Sequence, residues 1–224
     1  MKKQKEIFEA SEGNAWFHRN KESHHLCNKD WKDDDIFNFM KDIDFLPKEV
    51  LELGTSNGKR LHLLNEFYKC EGVGIDPSSD AVEDGKKRFP EISLLIGTAD
   101  KLPFEDNSFD TIIVSFFLLM CDREDLFKIA MEIDRCLQDG GVLIIRDFYP
   151  LSPYKNTYGH LKGLYSYKMD YSDMFTWNPA YTEIAKDLSS HSALDFKEFP
   201  DERVVISALY KNNNQAYPDN PYNK

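Results

Sequence analysis

The sequence predicts an α/β fold in which parallel strands alternate with helices and a ligand site lies at the strand ends. Three stretches carry that expectation. Val50 to Asp76 reads as strand, tight glycine turn, helix, strand and terminal acid, the plan of a nucleotide-binding βαβ half-unit. Phe109 to Phe117 is a continuous apolar run, as expected of a central parallel strand covered on both faces. Leu126, Ile129, Ala130, Ile133 and Leu137 keep helical spacing, and Gly140-Gly141 separates them from the apolar run Val142 to Ile145.

The elements follow in order. Residues 1–47 read as a helical cap segment: a charged helical start, then Trp16-Phe17-His18-Arg19, then a helix over Trp31 to Phe45 whose Asp33-Asp34-Asp35 lie near its N-terminus as a solvated face. The aromatics of residues 16–17 either cap one end of the sheet or fold over a ligand. After the first strand and its turn, Leu61, Leu64 and Tyr68 mark the first crossover helix. A second helix runs from Pro77 to about Phe89, and Ile92 to Ile96 is the third strand. Gly140-Gly141 ends the helix that begins near Leu126, and Val142 to Ile145 is the fifth strand. Phe148 to Trp177 carries Tyr149, Tyr154, Tyr158, Tyr165, Tyr167 and Tyr171 with Lys155, His160, Lys162 and Lys168 between them. It is an insertion into the strand-to-helix step, serving either as a lid over a site or as a structural flap or dimer contact. Pro179 to Leu188 reads as the last helix, Ala193 to Phe199 and Arg203 to Tyr210 as a closing antiparallel pair, and 212–224 as a polar tail.

Three chemistries use a turn like Gly54-Thr55-Ser56-Asn57-Gly58. A dinucleotide dehydrogenase wants G-x-G-x-x-G, but Ser56 and Lys59 stand where its second and third glycines would fall. G-x-S-x-G is also the serine-hydrolase elbow, which would make Ser56 a nucleophile. That elbow normally follows several strands, and here only about fifty residues, mostly polar and helix-like, precede it.

The third possibility fits a longer stretch. Glu52-Leu-Gly54-Thr-Ser-Asn-Gly58 resembles the E/D-x-G-x-G-x-G turn of class I S-adenosylmethionine-dependent methyltransferases, with Ser56 in place of the middle glycine. Gly72 to Pro77 looks like that family's ribose-binding strand end, and Gly97-Thr98-Ala99-Asp100 like its adenine-binding turn. Asn107 to Ser115 and Leu137 to Ile145 are similar to its fourth and fifth strands, so the resemblance covers about residues 48–148. It implies a Rossmann-like seven-stranded, mostly parallel sheet with helices on both faces and an antiparallel last strand, in a domain spanning 48–211. It also implies S-adenosylmethionine as cofactor and S-adenosylhomocysteine as product. Glu52, Gly54, Thr55, Ser56, Gly58, Asp76, Pro77, Ala99, Asp100 and Ser115 would then bind the cofactor, and Arg19 would pair with its methionine carboxylate through a two-pronged guanidinium fork.

Composition narrows the acceptor. Of 224 residues 41% are hydrophobic and 30% charged, with 28 basic against 39 acidic for a net charge of −11. A nucleic-acid substrate calls for a basic face, so RNA and DNA are disfavoured. No run reaches the roughly 20 apolar residues of a membrane span, and the N-terminus lacks the apolar stretch of a signal peptide. Cys27, Cys70, Cys121 and Cys136 show no metal-ligand spacing, and His24-His25-Cys27 has no second ligand group following it. No metal is expected, and reduced thiols fit a cytoplasmic protein, monomeric or homodimeric. The expected function is methyl transfer to oxygen or nitrogen of a small polar metabolite, such as a sugar or amino-sugar derivative. Asp147, at the end of the fifth strand, and His160, in the insertion, are the candidate general bases; each has a plainer alternative as a substrate-orienting or surface residue. A protein or RNA methyltransferase and a non-catalytic cofactor-binding scaffold are the competing readings.

Overall fold

The computed structural model describes residues 3–25, 34–192, 194–220 and 222, the side chains of 23–25 excepted. The His24-His25-Cys27 group and the start of the helix expected from Trp31 lie outside the described residues. The chain opens with α1 (Gln4–Ile7), one π turn (Phe8–Glu12), α2 (Gly13–His25) and α3 (Asp35–Asp42). There follow β1 (Glu49–Leu53), α4 (Lys59–Tyr68), β2 (Glu71–Asp76), α5 (Ser79–Arg88), β3 (Ser93–Ile96) and β4 (Phe109–Ser115). After α6 (Leu126–Cys136) and β5 (Leu137–Phe148) comes a separate hairpin of β6 (Tyr154–Thr157) and β7 (Tyr165–Lys168). Then come α7 (Asp173–Thr176), β8 (Tyr181–Ser190), β9 (Arg203–Lys211) and α8 (Asn213–Ala216).

The main sheet has seven strands in the order β3-β2-β1-β4-β5-β9-β8. β3, β2, β1, β4 and β5 pair in parallel, and β9 is antiparallel to both its neighbours. This is the Rossmann-like, mostly parallel sheet that the sequence predicts. Alternation along the strands builds a core on each face. Leu51, Ile112, Val114, Leu143 and Ile145 point to the side where Ile129 and Ile133 of α6 pack. Val50, Ile113, Val142 and Ile144 point to the other, against Phe37 and Met40 of α3, Leu61 and Leu64 of α4 and Val82 of α5. Each such fully buried side chain is worth about 1.5–3 kcal/mol.

Because β8 and β5 both run against β9, β8 points the same way as the parallel strands. The residues just after β8 therefore emerge at the same sheet edge as those after β1, β2, β4 and β5. That edge is where open α/β sheets bind ligands.

Four local expectations are corrected. Residues 181–190 are a strand, not a helix: Ile184, Ala185 and Leu188 mimic helical spacing, but main-chain pairing with the buried β9 decides. The partner of β9 is therefore β8 and not the stretch up to Phe199, whose described residues 194–199 form turns. Gly140-Gly141 does not end a helix; α6 stops at Cys136, and the glycines lie inside β5 where its register against β4 slips between Phe109 and Thr111. Asp34 is not part of a solvated face. It caps α3, accepting from the Phe37 N–H at 2.9 Å, and is held by Arg60 at 3.0 Å.

Candidate functional site

At the carboxyl edge of the sheet lies a cavity of about 990 Å³, at the upper end of the roughly 300–1,000 Å³ usual for small-molecule sites. Its first wall is the turn after β1. Gly54 and Gly58 both have left-handed backbones, φ 71° and 74°. A Cβ at Gly54 would lie 2.9 Å from Phe117 Cβ, and one at Gly58 2.8 Å from Leu94 Cδ2, so both positions need glycine. Ser56 takes the same left-handed region, φ 55°, without being glycine. Asp76 holds it there by accepting the Ser56 N–H at 2.7 Å. The Ser56 hydroxyl is buried and has no hydrogen-bond partner among the described residues, so it has no base beside it and is no hydrolase nucleophile.

Asp76 also accepts the Ser78 N–H at 2.8 Å. Burial pushes its carboxyl up to about 6, against the opposing pull of these two amides. Each of its oxygens keeps a second lone pair. Glu52 accepts from the Thr55 hydroxyl at 2.8 Å and pairs with Arg60, whose pKa is lowered by burial but raised on balance by Asp34 and Glu52. Asp100, after β3, pairs with Lys5 at 2.6 Å; burial alone would raise its pKa, but Lys5 and Thr98 bring it below the ordinary value.

A roof closes over these groups from two directions. Asp122 accepts the backbone N–H groups of Gln4 and Lys5 at 3.1 and 3.0 Å, capping the first turn of α1 from a distant part of the chain. The Gln4 amide donates to Met120 O at 2.7 Å and Tyr165 O at 3.1 Å and accepts from Tyr165 N at 2.6 Å, tying α1 to β7. Tyr158, in the turn of the hairpin, donates to Glu12 at 2.9 Å and accepts from Arg19 at 3.0 Å. Arg19 is thus engaged by Glu12 and Tyr158 and does not line the cavity, whereas Trp16 and Asn20 do.

The third wall is aromatic with cations against it. Phe116, Phe148 and His191 form a three-ring cluster with centroids 5.4, 5.5 and 4.9 Å apart. Arg146 lies 5.0 Å over the Phe116 ring and Lys168 3.7 Å over the Phe148 ring. Phe116 itself has φ 52°, a strained backbone of the kind that gathers at functional sites. Burial lowers the pKa of His191, with Lys168 and Arg146 adding to it and Glu202 opposing.

Of the residues that the sequence singles out, Glu52, Gly54, Thr55, Ser56, Asp76, Pro77, Ala99, Asp100 and Ser115 line the cavity together. Gly58 does not; it starts α4 behind the turn. Asp147 does not line it either, because alternation along β5 turns it away from the face of Arg146 and Phe148. It is 1% exposed, and burial pushes its carboxyl up to about 8, with the Phe148 and Leu119 amides opposing. His160 is exposed, stacks edge-on to Tyr158 and is not among the lining residues. Cys121 lines the cavity, but burial pushes its thiol up to about 12, so it stays protonated. Sequence reasoning passes over Arg146 and His191 and takes Lys168 only as one of several lysines. Arg146 had a signal, as the neighbour of Asp147 at the end of an apolar strand; His191 had none. Among the described residues no cluster of three metal-ligating side chains occurs, and no helix is long and apolar enough to cross a membrane.

The family model for a methyltransferase domain matches residues 50–141, the stretch that builds the first wall. Over this stretch, and in the order of its sheet strands, the chain is similar to the class I S-adenosylmethionine-dependent methyltransferases. The cofactor of this family fits the first wall on its own terms: the spare lone pairs of Asp76 suit the hydroxyls of a nucleoside, and the orphaned Ser56 hydroxyl suits the polar amino-acid end. Among curated relatives, the demethylmenaquinone methyltransferase of Thermotoga maritima is 33% identical over 59% of this chain and 54% of that protein. The ubiquinone/menaquinone biosynthesis C-methyltransferase of Desulfotalea psychrophila is 34% identical over 48% of this chain and 44% of that protein. The chain thus spans about half the length of these curated relatives. A solved structure of the 1,6-didemethyltoxoflavin-N1-methyltransferase of Burkholderia thailandensis, with its substrate and S-adenosylhomocysteine bound, superposes with a TM-score of 0.63. It covers 87% of this chain and 86% of that one at 11% identity, a likeness of fold.

Proposed function

We propose that this chain transfers a methyl group from S-adenosylmethionine to a small ring-shaped aromatic acceptor. The observation that carries the reading is the aromatic third wall, Phe116 and Phe148 with His191 packed against both, at the β4 and β5 ends and so away from Asp76 and Asp100 after β2 and β3. Ring faces suit a planar ring better than a sugar, which asks for a dense set of hydrogen-bonding side chains. The printed names of the quinone-methylating relatives support an aromatic acceptor and make carbon a candidate methylation site. A sugar or amino-sugar acceptor methylated at oxygen or nitrogen is the second reading, favoured by the charged groups Asp35, Arg146 and Lys168 around the same space.

The bound cofactor supplies a methyl group carried on a positively charged sulfur. In this reading Asp76 accepts the ribose hydroxyls, Asp100 and the Ala99 backbone take the adenine, and Ser56 and the turn around it hold the methionine end. Holding donor and acceptor in line is worth roughly 7–11 kcal/mol of barrier, and the roof of α1, α2 and the β6–β7 hairpin keeps water out.

Calorimetric titration with S-adenosylhomocysteine, alongside an Asp76→Ala variant, tests the cofactor half. Micromolar binding that weakens at least tenfold in the variant is expected. Incubation with S-adenosylmethionine and a panel of hydroquinones, phenols and amino sugars then tests the acceptor, with methylated product read by mass. Product from amino sugars alone would overturn the aromatic reading.

A further inference from the structure

The third wall holds a titratable group that none of the cofactor contacts uses. His191 sits in the loop directly after β8, its backbone N–H donating to Glu202 O at 2.8 Å. Its Nδ1 lies 3.9 Å from Glu202 Oε2, and Nε2 has no hydrogen-bond partner among the described residues. The ring lines the cavity between Phe116 and Phe148. Two cations share that space. Arg146 is ion-paired to Asp35 through one end of its guanidinium, while its buried Nε–H lacks a partner among the described residues. Lys168 donates to Asp201 O at 3.1 Å and faces the Phe148 ring.

We propose that His191, with the Glu202 carboxylate 3.9 Å from its Nδ1, accepts the hydroxyl proton of a phenolic or enolic ring seated against the Phe116–Phe148–His191 cluster, and that Arg146 and Lys168 hold the oxyanion left behind. The proposal rests on the aromatic-acceptor reading above. The acceptor O–H bond breaks, its proton goes to His191 Nε2, and the electron pair stays on the oxygen. That pair then activates the oxygen itself or the adjacent ring carbon toward a methyl group. The imidazole passes the first proton to solvent; a methylated ring carbon then gives its ring proton to the freed imidazole, which releases it to solvent before the next turnover.

The surroundings suit this task. The charged groups facing His191 are Arg146 from β5, Lys168 from β7 and Glu202 from the turn before β9; Phe116 and Phe148 supply apolar faces. Burial and the two cations keep the imidazole neutral, hence able to take a proton. The carboxylate of Glu202 steadies the imidazolium once formed. Two partly desolvated cations over aromatic rings gain most when a negative oxygen arrives. Asp147 and His160 lack such access, since neither lines the cavity.

The probe for the test is 4-nitrocatechol, whose phenol and phenolate absorb at different visible wavelengths. The full chain is titrated with it, with and without saturating S-adenosylhomocysteine, at a pH below the probe's first ionisation. Calorimetry in two buffers of different ionisation enthalpy counts protons released. The expected result is a bound phenolate spectrum with no net proton released, because the proton stays on the protein. In His191→Gln the probe binds as neutral phenol or releases one proton, and Glu202→Gln shifts the midpoint of the bound phenol's titration to higher pH. Loss of the phenolate in Arg146→Met, with retained S-adenosylhomocysteine binding and unchanged thermal unfolding, completes the assignment. A wild type that releases the proton to buffer, or that binds neutral phenol, overturns it. If S-adenosylhomocysteine binds and the probe does not, the acceptor inference fails while the methyltransferase reading stands. If S-adenosylhomocysteine does not bind, that reading itself falls.

Discussion

At position 56 a serine holds a backbone conformation that costs an L-residue roughly 1–2 kcal/mol, and its buried hydroxyl has no partner among the described residues. Glycine there would relieve both penalties while the Asp76 hydrogen bond to the backbone amide remains. Ser56→Gly is therefore expected to raise unfolding stability by about 1 kcal/mol in denaturant titration. Its affinity for S-adenosylhomocysteine is expected to fall by a few-fold to about tenfold, the worth of one hydrogen bond. Asp147 makes a different prediction. Its carboxyl is raised from 3.8 to about 8 by burial, so the folded state favours the protonated form. The stability that this neutral acid contributes is full below about pH 4 and is lost as pH rises through 8. Unfolding free energy measured at pH 5 and at pH 8 should drop in the wild type by a few kcal/mol more than in Asp147→Asn. Equal slopes in the two proteins would mean that Asp147 titrates normally.

Among the elements, α1 is too short to stand alone, and it forms because Asp122 supplies an acceptor for two of its open N–H groups. Removing that acceptor with Asp122→Ala should cost about 0.5–2 kcal/mol, as for other lost helix caps. Hydrogen exchange at Gln4 to Ile7 should accelerate, with the sheet amides unchanged. The elements that the sequence discloses are those whose signals are local. Glu52 to Gly58, Asp76 and Asp100 each sit at a strand end within a few residues of the apolar run that announces it, so the first wall of the cavity can be found in order along the chain. β8 could not be found that way. Its Glu183, Lys186 and Asp187 are the charges of an exposed edge strand, yet along the sequence they read as one face of a helix. Only pairing with β9 distinguishes the two, and that pairing spans a loop whose residues carry no turn signal strong enough to set it. His191 was illegible for the same reason, since it reaches the cavity only once β8 runs parallel to β5. Arg146 and Asp147 differ by one residue, and choosing between them requires knowing which face of β5 meets the cavity.

For the molecule as a whole, the cleft is covered by two segments far apart in sequence that are tied to each other as well as to the sheet. Gln4 binds α1 to β7 through two hydrogen bonds and to Met120 through a third, and Tyr158 binds the hairpin turn to Glu12 and Arg19. Lys5 reaches from the same α1 to Asp100 on the floor of the site. A ligand touching the floor near Asp100 thereby meets a residue of α1, and α1 is bonded to the hairpin that bears Lys168. Cofactor binding should then steady both segments together, as a ligand present at 100 times its dissociation constant stabilises the folded state by about 2.7 kcal/mol. In hydrogen exchange, S-adenosylhomocysteine is expected to slow Gln4 to Ile7 and Tyr165 to Lys168 in parallel, besides the turn at Gly54 to Gly58. Gln4→Ala breaks the link without touching the floor. In that variant the turn at Gly54 to Gly58 should stay protected, while the hairpin no longer gains protection with α1 when the ligand binds. Slowing confined to the Gly54–Gly58 turn and the end of β2 in the wild type would mean that the roof is set by folding alone and is indifferent to what lies beneath it.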